Sequence, residues 1–187
     1  MSTPGHDSAP MTAADYLAMA DDGRRYQLFD GELVEMTPGP SVRHQLIVMK
    51  LAAWLHGHAE ACGLGTIIPS PVDVILGPRT VVQPDLLFIA AAHAAALDMD
   101  RVRIAPDLVV EILSPWTRGD DLGRKADVYA AAGVAHYWIV DPAARSIAEW
   151  ILEGGRFVER ARASSGGRFR PALFPGLELD LDTLFRA

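Results

Sequence analysis

The stretch "APDLVVEILSPWTRGDDLGRKADVY", residues 105–129, decides the fold. Its first half reads as a strand. Leu108, Val109, Val110, Ile112 and Leu113 put aliphatic side chains on both sides of the pleat, so both faces are buried. One acid, Glu111, interrupts the run. The second half continues as "DLGRKADVYAAAG", a helix closed by Gly133. "AHYWIVDP" follows as a buried strand ended by Pro142. A strand–helix–strand crossover of this kind is right-handed and sets residues 136–140 parallel to 107–113.

Upstream, "TIIPSPVDVILG" and "TVVQPDLLFIA" read as two strands joined at Gly77-Pro78. "SVRHQLIVMKLAAWLHGHAEACG" reads as a long, largely buried helix from Ser41 to about Cys62, capped by Gly63. "TAADYLAMA" is a short helix with Thr12 and Asp15 as its capping pair. "RYQLFDGELVEM" is a hairpin turning at Asp30-Gly31, a type I′ signal, and "TPGP" at 37–40 stops it. Downstream, "SIAEWILEGGRFVERARA" is a second hairpin turning at Gly154-Gly155. "PGLELDLDTLF" supplies a last short strand and helical turn. The expected fold is α/β, with a core order of helix, three strands, helix, strand. A mixed central sheet lies between an N-terminal and a C-terminal hairpin. Residues 1–11 read as a flexible tail and residues 12–187 as one domain.

The chain has 187 residues, half of them hydrophobic, which suits one sizeable core. No apolar run approaches the roughly 20 residues of a membrane span, and "MSTPGHDSAP" lacks the pattern of a signal peptide. The single cysteine, Cys62, excludes an internal disulfide and a cysteine metal cluster, and fits a reducing cytoplasm. The net charge of -7 argues against broad electrostatic coating of nucleic acid. Charge is uneven, with arginines gathered over residues 145–170, so a local basic surface or a mixed solvated one both fit.

Three acids sit among aliphatics: Asp73 in "PVDVIL", Asp85 in "QPDLLFI" and Glu111 in "VVEIL". A buried, unpaired carboxylate costs several kcal/mol. Asp73 reads as a strand-end residue with a local partner. Asp85 and Glu111 together read as ligands of a hard cation, Mg²⁺ or Mn²⁺, whose charge keeps them ionised. Lys125 stands out because the chain has fifteen arginines and only two lysines, the other being Lys50. Arginine stays protonated, whereas lysine can handle a proton beside a metal. At four-residue spacings Asp121, Lys125 and Tyr129 share a helix face. A solvated surface lysine is the plainer alternative. His44 is either a core histidine bonded to a carbonyl or a ligand. Trp116 and Arg118, in the loop after Glu111, either clamp a nucleotide or pack the loop down.

Seven segments in order, "YQLFDGELVEM", "RHQLIVMKL", "VVQPDLLFI", "PDLVVEILSP", "GRKADVY", "GVAHYWIVDP" and "LFPGLELDLDTLF", resemble a bacterial family of restriction-endonuclease-like proteins expanded in cyanobacteria. The resemblance spans about residues 12 to 185. That family is similar to the PD-(D/E)xK nuclease superfamily, whose common core is αβββαβ. The resemblance implies that Asp85 is the acid of "PD" and that Glu111 is the acid of "(D/E)xK". Leu113 stands where that motif's lysine belongs, and Lys125 on the next helix matches a migrated lysine. It implies metal ligation by Asp85, Glu111 and the carbonyl of Ile112, with Glu32 and His44 completing the site. The activity implied is Mg²⁺-dependent hydrolysis of DNA by an endonuclease. The rival functions are a binding module on a nuclease fold and a metalloenzyme acting on a small phosphoester. Trp150, Ile151 and Phe157 of the second hairpin lie outside the common core, and a C₂ homodimer is expected to cover them.

Overall fold

A computed structural model describes residues 9–36 and 39–186. Most of the expected flexible tail, and Thr37 and Pro38 of the hairpin stop, lie outside the described residues. The chain enters through helix α1 (Ala13–Leu17), where Thr12 and Asp15 cap one another's backbone N–H groups. Strands β1 (Tyr26–Phe29) and β2 (Glu32–Glu35) form the hairpin. Asp30 and Gly31 both take positive φ, 47° and 87°, which gives the twist that a two-residue hairpin needs. Helix α2 (Val42–Cys62) starts where Ser41 Oγ accepts the His44 N–H and ends at left-handed Gly63.

The next segment departs from expectation. Residues 65–90 form four strands rather than two: β3 (Gly65–Pro69), β4 (Val74–Gly77), β5 (Thr80–Val82) and β6 (Leu86–Ala90). Pro69, Pro71 and Pro84 cannot donate to a ladder, so each run breaks near its proline. The pieces go to different sheets. β7 (Leu108–Ile112), β8 (His136–Asp141), β9 (Ser146–Glu153) and β10 (Arg156–Ser164) complete a six-stranded sheet in the order β10-β9-β8-β7-β6-β3. β4 and β5 join the N-terminal hairpin in a second sheet, β2-β1-β5-β4. In the large sheet β3, β6 and β7 are antiparallel, while β7 and β8 are parallel. That is the expected mixed core.

The expected crossover helix is also divided. Gly123, at φ −119° and ψ −95°, separates α3 (Arg118–Leu122) from α4 (Arg124–Ala132). The chain closes with a small pair, β11 (Arg168–Phe169) and β12 (Leu179–Asp180), and helix α5 (Leu181–Phe185).

Strand alternation sorts the core into two layers. Leu108, Val110 and Ile112 of β7 face α2 and α5, with Trp138 and Phe88 beside them. Val109 and Leu113 face the other way, with Tyr129 and Tyr137, toward α4 and the second sheet. Glu111 points to that second layer. Lys50, one of the two lysines, is structural. Its Nζ donates to the carbonyls of Thr183, Leu184 and Arg186 and so closes the end of α5. On one face of the second hairpin Trp150 and Phe157 pack on Tyr137, with ring centroids 6.0 and 5.4 Å away. The outer strand β10 carries Arg160 and Arg162 paired to Glu153 and Glu159, a charged edge that resists strand addition.

One glycine is a packing requirement. Gly65 has φ +147°, and a Cβ there would lie 2.1 Å from the Ile89 carbonyl oxygen and 2.8 Å from Ala90 Cα. Gly65→Ala is expected to force β3 away from β6 and cost about 2–3 kcal/mol. Thermal denaturation should show this as a fall of about 4–12 °C. An unchanged midpoint would show that the strand pair yields freely.

Candidate active site

A cleft of about 290 Å³ opens between β1, the start of α2 and the loop 114–117 that follows β7. Ladder geometry brings the motif acids to its floor. Pairing of Leu86 with Val110 puts Asp85, just before β6, opposite Glu111. The Ile112 N–H donates to Asp85 Oδ2 at 2.8 Å. In a strand the N–H and C=O of one residue point the same way, so the Ile112 carbonyl also faces the gap beyond the end of β6. His44 Nε2 lies 3.1 Å from the same Asp85 oxygen. Burial alone lowers the His44 pKa, but the Asp85 bond and charge outweigh it and raise it. Its Nδ1 is buried with no partner among the described residues.

Lys125 Nζ sits 3.0 Å from Glu111 Oε1 and 2.9 Å from Asp121 Oδ1. All three side chains are at most 5% exposed. Tyr129 OH donates to Glu111 Oε1 at 2.6 Å, and Thr117 Oγ1 donates to Asp121 Oδ2 at 2.6 Å. Burial pushes the Glu111 carboxyl up to about 8; Lys125 opposes this, and the charges of Asp121 and Asp85 reinforce it. For Lys125 burial acts downward, but Glu111 and Asp121 outweigh it and hold the ammonium above its ordinary value. Asp121 is raised as well, by burial first, against Lys125 and Thr117. The cluster therefore has more acid than its lysine can balance.

The structure thus brings Asp85, Glu111, Ile112, His44 and Lys125 together. It does not bring Glu32. That side chain is exposed and 2.6 Å from Arg124, whose guanidinium also lies 4.4 Å over the Phe29 ring. Glu32 staples the hairpin to α4, and Glu35 of the same strand lines the cleft instead. His44 bonds to Asp85. Asp73 lies apart, accepting from Tyr16 OH and Gln83 Nε2. Asp121 is the partner that sequence reasoning left without a role. The Asp121–Lys125–Tyr129 spacing carried the signal, and it survives the helix break at Gly123.

These residues fit a hard divalent cation by the chemistry of their donors. Among the described residues no three His, Cys, Asp or Glu side chains are grouped to hold a metal. Two carboxylates and a backbone carbonyl suit Mg²⁺ or Mn²⁺, which keep several waters and take further ligands from phosphate. The surplus acid is also what a bound cation relieves.

A family profile described as "Uma2: Putative restriction endonuclease" matches residues 13–182. The chain belongs to the Uma2 family. No curated protein matches it. Among solved structures, one titled a putative nuclease belonging to DUF820 from Anabaena variabilis superposes with a TM-score of 0.75. The match is 16% identical and covers 94% of this chain and 98% of that one. At that identity the likeness is one of fold, and the fold is restriction-endonuclease-like. Family and fold together make this Uma2 member nuclease-like, and proteins of that kind ordinarily need a divalent metal. No helix among its described residues is long and apolar enough to cross a membrane.

Proposed function

We propose that this Uma2 member is an endonuclease that hydrolyses DNA phosphodiester bonds in the cleft with Mg²⁺ or Mn²⁺. The observation that carries the reading is the meeting of Asp85, Glu111 and Lys125 at the floor of one cleft, on an αβββαβ core. Asp85, Glu111 and the Ile112 carbonyl are the proposed metal ligands. The ion would polarise the scissile phosphate and lower the pKa of a bound water. His44 fixes the orientation of Asp85, and Tyr129 fixes Glu111. Lys125, held cationic between two carboxylates, orients the attacking water or faces the charge that develops on phosphate. It is not the base. Leu113 fills the motif's lysine position with an apolar core side chain, and α4 returns the ammonium to the same space. Glu32 is left out of the proposed ligand set because Arg124 holds it elsewhere.

We take residues 12–187 as one domain working in a reducing cytoplasm, which suits the single Cys62. A homodimer would present two clefts to two strands. Trp150 and Phe157 already pack on Tyr137, which leaves Ile151 as the hairpin's contribution to such a contact.

The test is plasmid nicking in Mg²⁺ and in Mn²⁺, with Mn²⁺ binding followed by calorimetry. The parent is expected to bind Mn²⁺ and nick. Asp85→Asn is expected to bind it at least about a hundredfold more weakly, beyond the loss typical of residues that only support a ligand. Equal binding by Asp85→Asn removes this site from the metal. One observation favours a binding module without turnover: Lys125 is locked in two ion pairs. A parent that binds Mn²⁺ and nucleic acid yet never cleaves would establish that alternative.

A further inference from the structure

Trp116 has no role in the site described so far. It is 73% exposed, whereas Trp138 is fully buried. It stands on the wall of the cleft, on a turn that is pinned rather than loose. Ser114 Oγ accepts from the N–H groups of Trp116 and Thr117, at 3.3 and 3.1 Å. Thr117 Oγ1 in turn donates to Asp121, the partner of Lys125. The indole is therefore an exposed ring fixed to the lysine cluster by a short chain of hydrogen bonds.

Part of the cleft's lining is polar. Gln27 lines it although only 6% of the residue is exposed. Its Oε1 accepts the Gln83 N–H at 3.1 Å, and its Nε2 has no partner among the described residues. Arg25 holds the Gln83 side chain from the other side, at 2.7 Å. A flat ring, the Gln27 amide and the acids Asp85 and Glu111 thus line one cleft. A nucleobase matches the ring and the amide, because it stacks through its face and accepts hydrogen bonds at its edge. A paired base cannot offer its face, because that face is stacked within the duplex.

Charge points the same way. Duplex affinity comes chiefly from phosphates neutralised by Arg and Lys. The net charge is -7, and Arg24, Arg118 and Arg124 are each paired to an acid. Stacking needs no such surplus.

We propose that the cleft takes an unpaired nucleotide, its base stacked on Trp116 and its edge on Gln27, so that the substrate is single-stranded nucleic acid or an unpaired end. The proposal rests on the nuclease reading for what is bound, and it narrows the substrate.

The experiment is fluorescence anisotropy with a short dye-labelled DNA strand and the same strand as duplex, in Ca²⁺ and again with chelator. The strand is expected to bind at least about tenfold tighter than the duplex. Trp116→Ala should weaken strand binding by about 5- to 150-fold, the usual range for one stacked base. Trp116→Phe, which keeps a stacking face, should retain most of the affinity. The ring is exposed, so circular dichroism should show an unchanged fold. Parent-like strand binding by Trp116→Ala, a preference for duplex, or no binding of either DNA overturns the proposal. Cleavage of a single-stranded DNA circle in Mn²⁺ separates the two readings. Cleavage by Trp116→Ala at the parent rate overturns the stacking role and leaves the nuclease reading intact. Trp116-dependent strand binding with no cleavage in Mn²⁺ does the reverse.

Discussion

Glu111→Gln is expected to lose Mn²⁺ binding and to cleave at least about a thousandfold more slowly, because a metal centre supplies several kcal/mol of transition-state stabilisation. It should do so without unfolding. Gln keeps an oxygen for the Tyr129 hydroxyl, which now donates at 2.6 Å. It also removes a carboxyl whose ionisation burial opposes, pushing it up to about 8. Lys125 still has Asp121 at 2.9 Å, so a single neutralised pair remains. The melting temperature without metal should stay level or rise, because Lys125 keeps Asp121 as its partner and no unpaired buried charge is left. A plasmid-nicking time course and a thermal melt on the same preparation check both halves. Parent-rate nicking by Glu111→Gln would remove this carboxylate from the chemistry.

The part of the site that was legible in the sequence was the part set by local constraints. Glu111 is conspicuous because a strand with two aliphatic faces has no place for a charge, and Asp85 because it follows a proline at the start of an aliphatic run. The long helix, its cap and both hairpin turns were equally legible, since Ser41, Gly63, Asp30-Gly31 and Gly154-Gly155 each carry local backbone rules. The family resemblance pointed to Lys125. What the sequence hid was non-local. The pairing of β4 and β5 with the N-terminal hairpin is decided by which edges remain free once proline has broken each run. The family resemblance implied Glu32 as a site residue, yet Arg124, 92 positions away, holds it outside the cleft. The packing of Trp150 and Phe157 on Tyr137 was hidden as well, since it depends on the β8–β9 register. Asp121 showed its spacing but not its burial, which depends on Tyr137 and Thr117 closing over it.

Lys125→Met is expected to give the opposite pattern to Glu111→Gln. Lys125 is the only cation within ion-pair distance of both Glu111 and Asp121 among the described residues. Removing it leaves two buried carboxylates facing each other. Breaking a buried pair from one side costs about 3–5 kcal/mol, which for a chain of this size lowers the melting temperature by roughly 6–20 °C. Lysine is not a ligand for Mg²⁺ or Mn²⁺, and its loss deepens the acid surplus, so Mn²⁺ should bind at least as tightly as to the parent. Mn²⁺ should then restore part of the lost stability, because a ligand of the folded state raises the melting temperature by mass action. Cleavage should still fall by at least about a hundredfold, the scale of losing a group positioned on the reacting water. Lys125→Arg should also cleave poorly, since a planar fork cannot take the place of a compact ammonium between Glu111 and Asp121. Melts with and without Mn²⁺, run beside the nicking assay, separate the roles. Glu111→Gln loses metal and keeps stability, whereas Lys125→Met loses stability, keeps metal and is rescued in fold but not in rate. If Mn²⁺ restores the rate of Lys125→Met along with its stability, Lys125 is a structural counter-ion and the water is oriented by another group.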